Sequence, residues 1–379
     1  MVETCSTIKY QDHWGFKREP ARPENLRIDY CNGMKFDDNF DWDNAWYDAV
    51  QVNDNLVLLI GPPLYDAKNW INANVTFFDP YGKRLPVQFM EMDRVCYTGL
   101  TVGAQLQSIT MFSNNSAVVI PVKPRSDSFV DRKTMVTMQK NNPIEWIQQW
   151  VLYHVKVHDI GGFLIYDNGS TDYTAAHLES MLQGTKAIVK VVEWPYPYGP
   201  QGSDFAPWDS DYGQYVMLEH AKVRFLASSS MVLNNDIDEL IVTKGISLDD
   251  IQQHLMSAST GCLRYKGTWI EPYDIVEKKS AVSVLFAERD IHNYYCTDTN
   301  NSIGIGYKWM LVPQRHMNQQ WLVHHINSQM IESDQLYYAH HLALNTNWSW
   351  KRDEYTGDVA NLIPEPYLLS SLAKMDRTQ

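Results

Sequence analysis

Residues 163–172, Phe-Leu-Ile-Tyr-Asp-Asn-Gly-Ser-Thr-Asp, decide the fold of this chain. The apolar start predicts a buried strand, and the polar residues after it predict a turn into a helix at 174–182. Predicted strands and helices alternate on both sides of this stretch from residue 134 onward. Because parallel strands need crossover connections, this alternation predicts an α/β fold with a mostly parallel sheet flanked by helices.

The other predicted elements of this region have clear start signals. Pro143 suits the first turn of a helix over 143–158, and Ser247 with Asp250 forms a capping box for a helix over 247–256. Further strands are predicted at 135–138, 162–166, 187–194, 231–233, 281–287 and 307–312, and a further helix at 212–227. Ligands of open sheets bind at the carboxyl ends of the strands, so the polar residues at those ends are the candidate site.

The region upstream has a different pattern. Short β-prone runs at 56–60, 75–78, 87–90 and 117–122 alternate with Pro- and Gly-containing turns, which predicts a small all-β domain. We therefore divide the chain into an irregular segment at 1–50, a β-rich domain at 51–125, an α/β domain at 126–355 and a tail at 356–379.

Composition excludes some classes of function. The chain has 379 residues, is 44% hydrophobic and carries a formal charge of −13, so it can bury a large core but repels nucleic acid. Five scattered cysteines without a CxxC pair indicate free thiols in a reducing compartment. The chain has no apolar signal segment and no run of about 20 apolar residues, which predicts a cytoplasmic protein and leaves peripheral membrane contact open.

Polar residues follow two strands that are expected to be neighbours. The carboxylate of Asp167 can accept hydrogen bonds from a ribose or a nucleobase, and Lys140 can meet a phosphate. A strand–turn–helix cap without ligand explains the residues around Asp167 equally well. The nucleotide-site prediction comprises Lys140, Asn141, Asn142, Asp167, Asn168 and Ser170.

Residues 231–239, Met-Val-Leu-Asn-Asn-Asp-Ile-Asp-Glu, form the second polar strand end. In an extended segment Asp236 and Asp238 would face the same side, where two carboxylates suit Mn²⁺ or Mg²⁺. The cation would neutralise the pyrophosphate of a nucleotide-sugar donor, so Asp236 also belongs to the donor site. An acidic surface turn is the competing interpretation in so acidic a chain.

Two pairs of adjacent histidines lie near the C-terminal end: His324 with His325, and His340 with His341. Imidazole is a good ligand for Mn²⁺, and adjacent residues of an extended chain face opposite ways. We expect His341 or His340 to complete the metal site. Packing beside Trp348 and Trp350 is the alternative, and nearby Lys351 and Arg352 can neutralise phosphate.

Several of these motifs together resemble glycosyltransferase family 92. The resemblance spans roughly residues 134–352, and its motifs are 140–147, 162–172, 236–239, 307–310 and the closing His and Trp-x-x-x-Arg pieces. It implies a GT-A fold and an inverting transfer, commonly of galactose from a uridine diphosphate sugar, to a glycan acceptor. It also implies that Asp167 lies in the nucleotide site, that Asp236 and Asp238 are the metal motif, and that a C-terminal histidine completes the metal shell.

Inversion requires a carboxylate that acts as general base on the acceptor hydroxyl. Glu271 is the first candidate because the neighbouring Trp269 can pack on a sugar ring, and Asp274, Asp290 and Asp298 are the others. Two other functions stay open. An idle GT-A domain that binds a glycan or a nucleotide need not keep both metal carboxylates, and a nucleotidyltransferase needs a Gly-rich basic phosphate loop, which the region of Lys140 lacks.

Overall fold

The computed structural model describes residues 2–10, 39–113, 116–199, 212–280, 294–301, 305–344 and 354–376. The chain divides into two compact units. The α/β unit comprises Met1–Val2, Ser128–Val192 and Ser228–Gln379. The β unit comprises Glu3–Asp127 and Glu193–Ala227.

The secondary structure is labelled in chain order. The α-helices are α1 Ala67–Asn74, α2 Ile144–His158, α3 Ala175–Met181, α4 Tyr212–Ala221, α5 Leu248–Ser257 and α6 Pro366–Asp376. The first strands are β1 Ile8–Lys9, β2 Asn44–Trp46, β3 Asp48–Asn53, β4 Leu56–Gly61, β5 Thr76–Phe78, β6 Arg84–Leu85, β7 Val87–Met92, β8 Val95–Thr101, β9 Ser108–Ser113, β10 Ser116–Pro121 and β11 Lys123–Pro124. The later strands are β12 Lys133–Gln139, β13 Gly162–Asp167, β14 Ile188–Glu193, β15 Met231–Asn234, β16 Glu239–Thr243, β17 Cys262–Ile270, β18 Tyr273–Asp274, β19 Lys279–Ser280, β20 Cys296–Asp298, β21 Tyr307–Leu311, β22 Ile331–Glu332, β23 Leu336–His341 and β24 Leu362–Pro364.

The β unit contains a four-stranded sheet, β10-β9-β5-β6, and a five-stranded sheet, β11-β3-β4-β8-β7. Its buried core includes Trp46, Leu59, Phe77 and Met111. The separate N-terminal β region is therefore confirmed. The irregular interpretation of residues 1–50 is wrong for β1, β2 and the start of β3. Pairing between strands far apart in sequence, such as Ile8 in β1 with Trp46 in β2, supplies hydrogen bonds that no local pattern indicates.

Within the described residues, the α/β unit is built on a nine-stranded sheet of order β14-β13-β12-β15-β21-β17-β23-β16, with β22 beside β17. The predicted parallel arrangement holds where β12 pairs with β13 and with β15. Beyond β15 the directions change, because β21 is antiparallel to both β15 and β17 and β16 is antiparallel to β23. The fold is thus α/β with a mixed sheet.

Local signals account for the helices of this unit. Helix α2 follows Pro143 and ends at His158, and the next residue, Asp159, has a φ of 50° in the left-handed region. Helix α5 has the predicted capping box of Ser247 and Asp250. Helix α6 lies where the sequence predicts only a tail, and it packs against α2 and β16. None of the helices in the described part of the chain is both long enough and apolar enough to span a bilayer.

Helix α2 covers the outer edge of strand β16. Trp150 Nε1 donates to the Glu239 carbonyl at 3.0 Å, and Tyr153 Oη donates to the Ile241 carbonyl at 2.8 Å. The Ile241 N–H donates to His154 Nε2 at 3.2 Å. These bonds satisfy backbone groups that an edge strand otherwise leaves open, and they fix β16 directly after the acidic turn at 236–238.

Candidate active site

Three strand ends bring the two predicted groups to one edge of the sheet. Gln139 at the end of β12 is aligned with Asp167 at the end of β13. On the other side of β12, the parallel strand β15 ends at Asn234, two residues before Asp236. Because parallel strands have their carboxyl ends at the same edge, Asp167 and Asp236 both lie where an open sheet binds its ligands.

The carboxylate of Asp167 is held by two neighbours. Its Oδ1 accepts hydrogen bonds from Gln139 Nε2 and from Ser170 Oγ, both at 2.5 Å. Burial raises the pKa of Asp167, although the Ser170 hydrogen bonds and the charge of Lys140 act in the opposite direction. Gln139 begins the polar run 139–142 at the end of β12, and its hydrogen bond to Asp167 adds it to the residues of this site.

Asn141 connects the two strand-end turns. It has a φ of 54°, a left-handed conformation that Asn tolerates well. Its N–H donates to Ser170 Oγ at 2.9 Å, and its Oδ1 accepts the Thr171 N–H at 2.7 Å. Nearby, the Asn168 N–H donates to the carbonyl of Gln139 at 2.8 Å.

The remaining residues of this group close the turn after β12. Tyr173 Oη donates to the carbonyl of Asn142 at 2.5 Å. Lys140 is exposed, and its positive charge acts to lower the pKa of Asp167. The structure therefore brings together all six residues predicted for the nucleotide site. Their role in nucleotide binding remains a proposal.

The acidic motif adopts a turn and not the extended conformation that we expected. The Glu239 N–H donates to the Asp236 carbonyl at 3.1 Å, and the Asp236 N–H donates to Glu239 Oε2 at 2.9 Å. The buried Glu239 carboxylate thus organises the turn. As a result, the carboxylates of Asp236 and Asp238 have different partners.

Lys308 in β21 is the partner of Asp236. Its Nζ lies 2.6 Å from Asp236 Oδ2 and 3.2 Å from Glu239 Oε2. The Lys308 side chain is 2% exposed and that of Asp236 is 38% exposed. Burial opposes the charged form, but the two carboxylates outweigh it and hold the pKa of Lys308 above its ordinary value. No role was predicted for Lys308 beyond its place in the 307–310 motif, because a single lysine in an apolar strand has no distinctive pattern.

Glu239 is the buried member of the cluster. Burial raises its pKa to about 7, even though the Lys308 ammonium favours the charged form. Asn235 Nδ2 donates to Glu239 Oε2 at 3.2 Å, and Tyr265 Oη in turn donates to Asn235 Oδ1 at 2.6 Å. These contacts join β17 and the acidic turn into one hydrogen-bonded network.

His340 is the partner of Asp238. Its Nε2 lies 3.0 Å from Asp238 Oδ2, and its ring lies 4.5 Å from the ring of Trp269. The pairing of His340 with Glu239 in the β16–β23 register places it there. The side chain of His341 is buried on the other face, while its N–H donates to the Asp238 carbonyl at 2.8 Å.

The other histidine pair lies in the segment before β22. His324 Nδ1 lies 3.1 Å from the carbonyl of Tyr307, and its ring is within electrostatic reach of Lys308 and Asp236. His325 is exposed. Of the four candidate histidines, the structure thus brings His340 to Asp238 and His324 to the neighbourhood of Asp236.

The candidate bases lie beyond the end of β17. Glu271 is buried, accepts a hydrogen bond from Asn301 Nδ2 at 2.9 Å, and has its pKa raised by burial. Asp274 Oδ1 accepts the N–H groups of Val276 and Glu277, both at 2.9 Å, which indicates a structural role in a turn. The predicted strand at 281–287, Asp290, and the segment with Trp348, Trp350, Lys351 and Arg352 lie outside the described residues.

The residues of the acidic turn fit a divalent cation by ligand type. Asp236, Asp238 and His340 supply two carboxylates and an imidazole, a set that suits Mn²⁺. Their side chains are partly exposed, so a cation and a phosphate can reach them. The buried side of the turn is already neutralised by Lys308.

In the part of the chain that the structure describes, one group of three residues has a metal-type ligand atom from each residue within 4.8 Å of the other two: Cys5, Asp48 and His220 of the β unit. Burial raises the pKa of Cys5 well above its ordinary value, so its thiol is protonated and a poor ligand. Asp48 Oδ2 accepts hydrogen bonds from His220 Nε2 and Arg224, both at 3.0 Å. We interpret this group as a buried ion cluster that stabilises the β unit.

The mixed α/β sheet, with a carboxylate site and an acidic turn at its ligand-binding edge, agrees with the expected GT-A fold. The family described as glycosyltransferase family 92 matches residues 137–359, which is more than half of the chain, and the chain belongs to this family. A search of curated proteins found no match.

Solved structures similar to this chain are glycosyltransferases. TarS 1–349 of S. aureus in complex with UDP is 14% identical, with 55% of this chain and 60% of that chain covered and a TM-score of 0.32. The galactosyltransferase LgtC in complex with donor and acceptor sugar analogues is 14% identical, with 49% and 59% covered and a TM-score of 0.27. Mouse xyloside xylosyltransferase 1 is 8% identical, with 51% and 71% covered and a TM-score of 0.27. This chain thus spans less than two thirds of TarS 1–349 and of LgtC.

Proposed function

We propose that the chain transfers a sugar from a nucleotide-sugar donor to a glycan acceptor and requires a divalent cation. The observation that carries this proposal is the position of the acidic turn with His340 at the same sheet edge as the buried carboxylate of Asp167. A nucleoside bound at Asp167, at the end of β13, would have its diphosphate directed toward the carboxylates that follow β15, on the other side of β12.

Asp167 and its neighbours form the nucleoside site in this proposal. Asp167 Oδ2 accepts one backbone N–H, from Ser170 at 3.3 Å, which leaves lone pairs for a ribose hydroxyl or a base N–H. Exposed Lys140 can meet phosphate oxygens at the rim. The family resemblance favours uridine diphosphate galactose as donor and inversion at the anomeric carbon.

Asp236, Asp238 and His340 would hold Mn²⁺ or Mg²⁺. The bound cation supplies positive charge that stabilises the departing diphosphate. The protein contributes the orientation of the ligands: Glu239 fixes the backbone of the turn, and Trp269 packs against the His340 ring. Such fixed ligands need little reorganisation when charge develops on the leaving group.

Glu271 is the proposed general base for the acceptor hydroxyl. Its raised pKa brings the carboxyl closer to the working pH, which improves proton transfer from a hydroxyl. Trp269, two residues earlier at the end of β17, can pack on the acceptor sugar. Asp290 is the second candidate.

The test is a donor screen. Release of nucleoside diphosphate is measured for a panel of nucleotide sugars with glycan acceptors, in Mn²⁺, in Mg²⁺ and in chelator. We expect turnover with one class of donor in the presence of metal, and a product of inverted anomeric configuration by NMR. Turnover that is as fast in chelator would contradict the metal requirement, and the absence of turnover with every donor would contradict transferase activity.

A further inference from the structure

The ammonium group of Lys308 packs against the acidic turn. Three carboxylates, Asp236, Asp238 and Glu239, lie within four consecutive residues, and the ammonium of Lys308 lies between the first and the last of them. Lys308 is carried by β21, which is hydrogen-bonded to β15 on one side and to β17 on the other. Its backbone is therefore fixed by the centre of the sheet.

The two partners of Lys308 differ in their freedom to move. The Glu239 side chain is 2% exposed and is held by the backbone of its own turn. The Asp236 side chain is 38% exposed and lies at the surface of the cluster. Asp236 can therefore turn away toward a bound cation while Lys308 keeps Glu239 as its partner, and no buried charge is left unpaired.

We infer that Lys308 is a positioning residue that partly neutralises the acidic turn in the free protein, so that a divalent cation binds tightly only together with the nucleoside diphosphate. A cation that enters at Asp236 is repelled by the ammonium a few ångströms away, which lowers its affinity. The diphosphate adds negative charge at the same place and restores the attraction. The inference rests on the proposed function, because it takes Asp236 as a metal ligand.

Binding measurements test this coupling without turnover. Mn²⁺ is titrated calorimetrically into wild type, Lys308→Met and Lys308→Arg, each with and without UDP. Wild type should bind Mn²⁺ weakly alone and at least about tenfold more tightly with UDP. Lys308→Met should bind Mn²⁺ alone at least about tenfold more tightly than wild type, with a smaller effect of UDP, because the repulsion is gone. Lys308→Arg keeps the charge and should behave like wild type.

A second pair of variants keeps the inference testable if Lys308→Met alone does not fold. Lys308→Met with Glu239→Gln removes the ammonium and one buried carboxylate together, and its reference is Glu239→Gln alone. Near-UV circular dichroism establishes that each variant is folded. Two comparisons decide the outcome: folded Lys308→Met against wild type, and the folded double variant against Glu239→Gln. The inference is overturned if the protein without Lys308 binds Mn²⁺ no more tightly in either comparison while wild type needs Mn²⁺ for turnover. If wild type turns over in chelator and no variant binds Mn²⁺, the metal part of the proposed function fails as well.

Discussion

Asp236 and Asp238 are two residues apart, yet each has its own partner. Lys308 neutralises the first, and His340 contacts the second. The turn between them, closed by the Glu239 side chain, separates the two carboxylates. At the scale of single residues, Asp238 and His340 therefore form a carboxylate–imidazole pair, 3.0 Å apart, that suits a divalent cation by ligand type.

Replacement of Asp238 by Asn tests this pair. Asp238→Asn keeps the shape of the side chain but removes a charged ligand, so we expect turnover to fall by about 100-fold or more. Donor turnover is measured against Mn²⁺ concentration. Asp334→Asn, which changes an exposed carboxyl of the same unit, is the matched control and should keep normal turnover. Equal turnover of the two variants would remove Asp238 from the metal site.

Asp167→Asn should weaken binding of UDP and of the sugar donor by the same factor, about tenfold, because a charge-assisted hydrogen bond to the nucleoside is lost in both. Calorimetric titration of both ligands measures the two factors. The exposed carboxyl of Asp131, changed to Asn, is the control. A loss confined to the sugar donor would show that Asp167 contacts the sugar and not the nucleoside.

A Mn²⁺ titration of single alanine variants shows which of the four histidines completes the metal site. His340→Ala should require far more Mn²⁺ for half-maximal turnover, because its imidazole is the one that lies beside Asp238. His341→Ala should keep the metal dependence but lower the melting temperature, because that side chain is fully buried. A normal Mn²⁺ requirement in His340→Ala would show that the site is completed without it.

At the scale of elements, α2 positions β16 through side chains at intervals of four residues. Trp150, His154 and His158 lie on one face of the helix, and His158 Nε2 donates to the Ile241 carbonyl at 2.6 Å. Burial lowers the pKa of His154 well below its ordinary value and lowers that of His158 to about 4. Both rings are therefore neutral in the folded protein at pH 7.

This arrangement predicts lower stability in mild acid. The unfolded chain binds protons at these histidines below about pH 6.5, whereas His158 of the folded protein resists protonation until about pH 4. The free energy of unfolding therefore decreases as the pH falls between these values. His158→Gln should reduce this decrease, measured by urea unfolding at pH 7, 6 and 5. Exposed His254, changed to Gln, is the control. An unchanged pH dependence in His158→Gln would mean that other groups cause the acid sensitivity.

The elements differ in how far the sequence predicted them. The strand before Asp167 and the helix after Pro143 were predicted to within a residue or two, because each combines an apolar run with a local start or stop signal. The two polar strand ends were likewise predicted to share an edge. Lys308 was not predicted, since its contact with Asp236 depends on the antiparallel insertion of β21 beside β15, and strand order is not encoded locally. The same reason explains the missed strands before residue 51.

At the scale of the whole molecule, the candidate site and the buried charge cluster around Asp48 belong to different units. Arg224 in the β unit lies 3.0 Å from Asp48 and 2.7 Å from Glu3. Burial would raise the pKa of Asp48, but the hydrogen bond from His220 and the charges of His220 and Arg224 hold it below its ordinary value. The residues proposed for donor and metal all belong to the α/β unit.

This separation predicts that stability and ligand binding can be changed independently. Arg224→Met leaves the fully buried carboxylate of Asp48 short of a cation, which should cost about 3 kcal/mol of unfolding free energy. Lys68→Met removes a solvent-exposed ion pair of the same unit and should leave the stability nearly unchanged. Because Arg224 and Lys68 both belong to the β unit, we expect Mn²⁺ and UDP to bind the folded variants with wild-type affinity. Urea unfolding gives the stabilities, and calorimetry below the unfolding transition gives the affinities. A stable Arg224→Met protein would show that Asp48 does not need this cation, and weakened UDP binding in it would show that the β unit contributes to the donor site.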